Sequence, residues 1–262
     1  MNTLNDRDLQ VANRNFYEPL WRDARLVEPE RFNTWPLISP LVAGAARRLE
    51  VAPGLRPRLP VDGTAFVDIS MNALTKLAAC GGRPVLAPIG RLPFADGTFD
   101  LLCALDIIEH VDDDQRAMAE LARVATLGAT LLLSTPLHPE MWTPFDDFVG
   151  HRRRYEPKQI HALLQHHGFA IERSAIFGMQ PNSSLLVDLG MWFLKHRRET
   201  AMKWYNRVMP YTMRLQSPLQ LHEGLINTDG VGEILLVCSK RVLPRCQSAI
   251  DSGRFHSPTD VF

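Results

Sequence analysis

Two acidic residues lie in or at the end of short apolar runs, and the second of them could hold a polar ligand. Glu50 lies within "RLEV", and Asp68 closes "AFVD" just before a predicted helix. A carboxylate at the end of a strand can accept hydrogen bonds from both hydroxyls of a ribose. The turn after Glu50, "APGLRP", has one glycine, Gly54, where nucleotide-binding turns usually have several. The structural alternatives are a helix N-cap for Asp68, and a continuation of the preceding helix for Glu50.

Three histidines are candidates for a general base, because the ordinary pKa of imidazole lies near neutrality. His110 follows Glu109 in "DIIEHV", His138 lies in "TPLHPE", and His151 begins "HRRRY". Alternatively, Glu109 and His110 only cap and orient the following loop. The four cysteines are scattered without a CxxC pair, and we predict no metal site.

The run "HRRRY" also carries a cluster of three arginines. An arginine such as Arg153 could bind a carboxylate or phosphate on a substrate. Equally, the three arginines could pair with acids on the surface, and the nearest are Asp146, Asp147 and Glu156. Both interpretations stay open at this point.

Apolar runs alternate with amphipathic helical segments along most of the chain. Strands are predicted at 49–51, 64–70, 83–89, 99–108, 129–136, 170–178 and 232–241, and helices at 37–48, 71–82, 112–125 and 156–169. This alternation predicts an α/β fold with a doubly wound, mainly parallel sheet and helices on both faces.

Four parts of the chain are predicted. Residues 1–36 form a helical segment that is a lid or merely covers the sheet, and 37–178 with 232–241 form the α/β domain. Residues 179–231 are inserted as a cap or interface subdomain, and 242–262 are a tail. The insertion is much longer than a typical connection between strands. Its apolar and basic residues predict an acceptor pocket or a homodimer interface, with peripheral membrane association as a weaker alternative.

Four stretches in sequence resemble the class I S-adenosylmethionine-dependent methyltransferases, especially the subgroup with small-molecule and quinone methyltransferases. They are "FVDIS", "GRLPFADGTFDLLCALDIIEHVDDD", "LLLSTPLHPE" and "GHRRRYEPKQIHALLQHHGF". The resemblance covers roughly residues 37–178 and 232–241. It implies a Rossmann-like fold, S-adenosyl-L-methionine as cofactor, and in-line methyl transfer to a small-molecule acceptor.

The resemblance also implies roles for individual residues. Glu50 would hold the amino group of the cofactor, Asp68 its ribose, and Ala104 would lie near the methyl group. The full set implied for the cofactor is Glu50, Ala52, Gly54, Asp68, Ile69, Ile89 and Ala104. For the acceptor it is Tyr17, Trp21, Arg153 and Tyr155, with His110, His138 and His151 as candidate bases.

The chain departs from the family pattern at two places. Arg56 stands where the family's turn has its third glycine, and Pro57 next to it removes a backbone donor. Pro88 stands where an acid often accepts from the adenine amino group. Glu50 and Asp68 are 68 − 50 = 18 positions apart, so the first helix of the domain should be lost or reduced to a turn. The rival prediction is therefore a non-catalytic protein of this fold that has lost cofactor binding and acts as a partner or regulatory subunit.

Composition narrows the classes of partner. Lys+Arg and Asp+Glu are 29 each, so no overall field favours nucleic acid. No apolar run approaches the ~18 residues of a membrane-spanning helix, and we expect a soluble, cytoplasmic protein. A nicotinamide-dependent dehydrogenase is a weaker alternative, because the glycine pattern that seats a pyrophosphate is missing.

Overall fold

A central eight-stranded sheet with strand order β3-β2-β1-β4-β5-β8-β6-β7 organises the chain. Its strands are β1 Arg48–Val51, β2 Ala65–Asp68, β3 Arg83–Leu86, β4 Phe99–Leu105, β5 Ala125–Pro136, β6 Phe169–Ile176, β7 His222–Glu223 and β8 Glu233–Lys240. The first five strands are parallel, whereas β8 runs antiparallel to both β5 and β6. The predicted mainly parallel α/β fold is confirmed.

The computed structural model describes residues 17–178, 184–213 and 216–242. The helices are α1 (residues 17–23), α2 Trp35–Ala43, α3 Met71–Ala79, α4 Asp114–Val124, α5 Pro144–Val149, α6 Pro157–His166, α7 Ser184–His196 and α8 Arg198–Thr212. Short 3-10 turns occupy Pro29–Arg31, Ile108–His110 and Pro139–Met141. The first part of the predicted lid (1–16) and nearly all of the predicted tail lie outside the described residues.

The strand registers assign each helix to one face of the sheet. Glu50 of β1 pairs in register with Phe66 of β2 and Cys103 of β4, so these three side chains point to the same face. On that face Cys103 packs with the buried side of α2, and Phe66 packs with that of α3. The larger core cluster on the opposite face includes the buried sides of α4 and α6. Glu50 therefore faces a covered interior.

The connection between β1 and β2 is short and contains no helix among residues 52–64. This agrees with the 18-position spacing of Glu50 and Asp68. The strand order reverses between β1 and β4, and in open α/β sheets ligands bind at the carboxyl ends of the strands at such a point. The short connection and the two acids lie at that point.

The inserted segment contains the helix pair α7 and α8. Met202 of α8 and Leu194 of α7 pack against α1 through Leu20 and Trp21. The outer side of the pair carries exposed apolar side chains: Leu185, Leu186, Leu189, Trp192, Trp204, Val208 and Tyr211. A homodimer interface here stays a prediction. Within the described part of the chain, no helix is both long and apolar enough to cross a membrane.

Candidate functional site

Glu50 organises the shortened turn after β1. It is 3% exposed. Its carboxylate accepts hydrogen bonds from the backbone N–H of Arg58 at 2.8 Å and of Leu59 at 2.9 Å. Burial raises the pKa of Glu50 to about 7, although these two amides favour its ionised form. The acid therefore holds the turn in place from within, rather than pointing freely toward a ligand.

The turn itself contains two residues in the left-handed region. Ala52 and Gly54 both have φ of +54°. A Cβ built on Gly54 would lie 2.2 Å from a ring carbon of Trp21, so the Trp21 indole packs directly on the glycine backbone. Arg56 lies 5.5 Å from the centre of the same indole. Glycine is required at position 54 because both the backbone and the indole exclude a side chain.

Asp68 lies at the end of β2, beside this turn. Its carboxylate accepts from the N–H of Gly54 at 3.1 Å and of Ser70 at 2.8 Å. Asp68 is 6% exposed, and burial raises its pKa to about 6. Ser70 supplies the N-cap of α3, where it accepts from Ala73 N. The alternative role of Asp68 as that N-cap is therefore wrong.

The other residues implied for the cofactor have apolar surroundings. Ile89 is 5% exposed and Ala104 is fully buried, and both belong to the main core cluster. Ile69 is half-buried. Their role toward the cofactor stays a prediction.

The helix α1 covers this end of the sheet. Lys76 of α3 donates to the carbonyl oxygens of Trp21, Arg22 and Ala24 at 2.9, 2.8 and 2.7 Å. Tyr17 stacks on Trp21 at 6.1 Å and meets the edge of His110 at 6.0 Å. In the conformation described, α1 lies between the Gly54 turn and the histidines.

Acidic groups gather at the ends of β4 and β8. Asp106 has φ of +51°, and its carboxylate accepts from Ser134 Oγ. Burial, followed by the charge of Asp106, raises the pKa of Glu233 and of Glu109 well above their usual range. A cation that entered the crevice would lower these pKa values and favour the ionised acids, so together with Glu50 and Asp68 they suit a positively charged ligand.

Two of the three predicted bases lie together. The rings of His110 and His151 are 4.7 Å apart and meet edge to face. His110 Nδ1 is 3.3 Å from the carbonyl oxygen of Gly150, and burial lowers its pKa to about 3. His110 is thus a weak base at neutral pH. The third, His138, contacts Thr228 O through Nε2 at 2.7 Å, and this contact occupies one ring nitrogen.

Asp146 is the centre of a buried polar network that positions His151. This fully buried carboxylate accepts from Arg154 Nε at 2.9 Å, from His151 Nδ1 at 2.8 Å and from Thr143 N at 2.7 Å. Burial raises the pKa of Asp146, but these hydrogen bonds outweigh it and hold the pKa well below its usual range. Of the three acids predicted as surface partners of the arginines, Asp146 pairs with Arg154, and this pair is buried rather than on the surface.

Arg153 and Tyr155 make structural contacts. Arg153 donates to Asp114 at 2.7 Å and to the carbonyl oxygen of Asp112 at 2.7 Å. Tyr155 is 3% exposed and donates to the same Asp114 carboxylate at 2.8 Å. These contacts attach the start of α4 to the loop before α6, and a role in acceptor binding stays a prediction.

Comparisons with known proteins bear on the central part of the chain and on the sheet. The methyltransferase-domain family matches residues 59–133 of the chain. This match lies in the central part of the chain and supports a class I S-adenosylmethionine-dependent methyltransferase. The matched range begins after the Gly54 turn and ends within β5. The cofactor of this family is S-adenosylmethionine.

Relatives of the chain are similar to it over short stretches. Ajmaline N-methyltransferase of Rauvolfia serpentina is 36% identical over 50 residues, which is 19% of this chain and 17% of that protein. A probable S-adenosylmethionine-dependent methyltransferase of Mycolicibacterium smegmatis is 31% identical over 88 residues, 32% of this chain and 34% of that one. The chain thus spans about a third or less of these relatives.

Among solved structures, the fold is similar to an S-adenosylmethionine-dependent methyltransferase, possibly a histamine N-methyltransferase by its own description, from Thermotoga maritima. The TM-score is 0.52 and the identity 16%, with 80% of this chain and 91% of that one covered. At this identity the likeness concerns the fold of the methyltransferase domain. It supports the sheet topology described above.

The buried acids should make stability depend on pH around neutrality. Glu50 and Asp68 have pKa values of about 7 and about 6, above their ordinary 4.5 and 3.8. A raised carboxyl pKa adds stability that is present at low pH and lost as the pH rises through the folded value. Below about pH 6.5 His110, whose pKa is lowered, opposes this trend. We therefore expect the free energy of unfolding to fall between pH 6.5 and 8 in urea titrations. A rise over that interval would contradict the assigned shifts.

Proposed function

We propose that the chain is a methyltransferase that binds S-adenosylmethionine and transfers its methyl group to a small-molecule acceptor. The observation that carries this proposal is Asp68. It stands at the carboxyl end of β2, beside the topological switch point, and the amides of Gly54 and Ser70 fix its carboxylate. A carboxylate so anchored keeps further lone pairs for two ribose hydroxyls.

The chain's residues fit the cofactor in charge and in donor type. Asp68 would bind the ribose, and the Gly54 turn would bind the methionine part. Ile89 and Ala104 would make apolar contacts with the cofactor. The acids in the crevice favour a sulfonium and an ammonium group. When bound, S-adenosylmethionine supplies an electrophilic methyl group. Because Trp21 packs on Gly54 in the described conformation, α1 must shift to admit the ligand.

The chain's further contribution would be positioning and exclusion of water. α1 covers the carboxyl ends of β1 and β2, and this favours an acceptor small enough to be enclosed. Methyl transfer from a sulfonium needs little covalent help, so orientation of the acceptor dominates. Of the predicted bases, His151 is the one whose Nδ1 is oriented by a carboxylate.

A second candidate is a non-catalytic member of the fold. Two observations favour it: amides of the turn occupy the Glu50 carboxylate, and the Trp21 indole covers Gly54. In this case the closed conformation would be permanent. The retained acid at position 68 argues for the first candidate.

Thermal unfolding with and without S-adenosylhomocysteine separates the two candidates. The first predicts a higher melting temperature with ligand, since a ligand that binds only the native state stabilises it. It also predicts transfer of a labelled methyl group to a small-molecule extract. The second predicts no shift, both in the unchanged chain and in Trp21→Ala, in which the indole no longer covers the turn.

A further inference from the structure

We propose that Glu109, His110 and His151 form a binding site for a divalent transition-metal ion. One ligand atom from each residue lies within 4.8 Å of the other two. The sequence predicts no metal site, and Glu109 and His151 are far apart along the chain. The fold brings the 3-10 turn after β4 and the residue after Gly150 together.

The strongest observation is the state of Glu109. This residue is 0% exposed, and among the described residues neither of its carboxylate oxygens has a partner at full hydrogen-bond geometry. Thr135 and its own backbone N–H lie only near enough to favour the ionised form. An unpaired buried carboxylate costs several kcal/mol, and proteins normally pair such a group or use it to coordinate a metal. His151 Nε2, at 4.0 Å from Glu109 Oε1, is too far for a hydrogen bond.

In each of the two histidines, Nδ1 has a hydrogen-bond partner of the kind found in metal-binding histidines, where the other ring nitrogen binds the metal. His151 Nδ1 lies 2.8 Å from Asp146 Oδ1, and His110 Nδ1 lies 3.3 Å from the carbonyl oxygen of Gly150. A carboxylate and a backbone carbonyl are the usual partners of the nitrogen that does not bind the metal. Both Nε2 atoms therefore remain as ligand atoms, together with the Glu109 carboxylate.

The backbone holds the two loops in register. Arg152 N donates to the carbonyl oxygen of Glu109 at 2.8 Å. Asp146, which orients His151, is itself fixed by Arg154 and Thr143. Ligand atoms around a tetrahedral zinc ion are about 3.3 Å apart, so closure from the present spacing needs side-chain movements of ~1 Å. Such movements are within reach of χ rotations.

The ligand set indicates the class of metal. Two imidazoles and one carboxylate suit zinc or iron, whereas magnesium prefers an all-oxygen shell. Three protein ligands also leave coordination positions open. The role of these open positions rests on the proposed function: they would bind an oxygen or nitrogen atom of the acceptor. The metal would then lower the pKa of a bound hydroxyl group. His151 would then be a ligand and not the base.

The test is titration of the full chain, stripped with a chelator, with Zn²⁺ alone and in the absence of cofactor. We expect one tight equivalent by calorimetry, and little response to Mg²⁺. His151→Ala and Glu109→Gln should each weaken Zn²⁺ binding at least tenfold. His166→Ala is the matched control, because that exposed histidine of α6 lies outside the cluster.

Two results would overturn the proposal: no stoichiometric Zn²⁺ binding, or tight binding that the His151 and Glu109 variants leave unchanged. Circular dichroism verifies that the variants are folded. If His151→Ala does not fold, Glu109→Gln, which keeps the shape of the side chain, decides alone. Cofactor binding is measured separately, so failure of the metal site is distinguishable from failure of the proposed function.

Discussion

Replacing Asp68 with alanine should weaken binding of S-adenosylhomocysteine at least about a hundredfold. A hydrogen bond to a charged group contributes roughly 1.5–3 kcal/mol, and the proposal assigns two such bonds from the ribose to this carboxylate. Their loss corresponds to two or more factors of ten in Kd. The variant also releases the N–H of Gly54, so the turn should loosen. Isothermal titration calorimetry measures the effect directly.

Asp62→Ala is a suitable control for that experiment. Asp62 is an exposed acid in the same β1–β2 connection, outside the predicted cofactor site. It should leave the affinity for S-adenosylhomocysteine unchanged. An Asp68→Ala protein that is folded and binds as tightly as the unchanged chain would remove Asp68 from the proposed site.

The second large effect concerns stability. Asp146→Ala should lower the free energy of unfolding by about 3–5 kcal/mol, because it leaves the buried Arg154 guanidinium without its counter-charge. For a chain of this size that corresponds to a fall in melting temperature of roughly 6–20 °C. The same change removes the acceptor for His151 Nδ1 and the cap of α5 at Thr143. Differential scanning calorimetry measures the shift.

Asp147→Ala provides the matched control, since Asp147 is the next residue of α5 but is exposed. Its contact with Trp142 Nε1 at 3.2 Å lies on the surface, and surface contacts contribute little. We expect a change within about 0.5 kcal/mol. Equal effects of the two substitutions would show that the Asp146 network does not stabilise the fold.

Much of the fold could be predicted because the governing interactions are local. The strands β4 and β5 are long apolar runs, and their burial on both faces follows from composition alone. The absence of a helix after β1 follows from counting positions between Glu50 and Asp68. The two-residue β7 and the short α5 were not predicted, because both depend on tertiary pairing and capping more than on periodicity.

The identity of several site residues could be predicted from the sequence, but the contacts between them could not. Sequence reasoning selected Glu50, Gly54 and Asp68, and the structure places them around one turn. It did not foresee that Trp21 packs on Gly54 or that Glu109 faces His151. The two residues of each pair are distant in sequence, so no local spacing pattern predicts their contact. One feature of the sequence near Gly54 pointed to the first contact. Arg56 replaces a glycine of the family's turn, and its guanidinium lies over the Trp21 indole.

The most direct test of the central claim is calorimetric titration of the full chain with S-adenosylhomocysteine. The account predicts saturable binding at one site per chain, with micromolar or tighter affinity, and its loss in Asp68→Ala. Absence of binding heat, together with an unchanged melting temperature in a chain that circular dichroism shows to be folded, would contradict it.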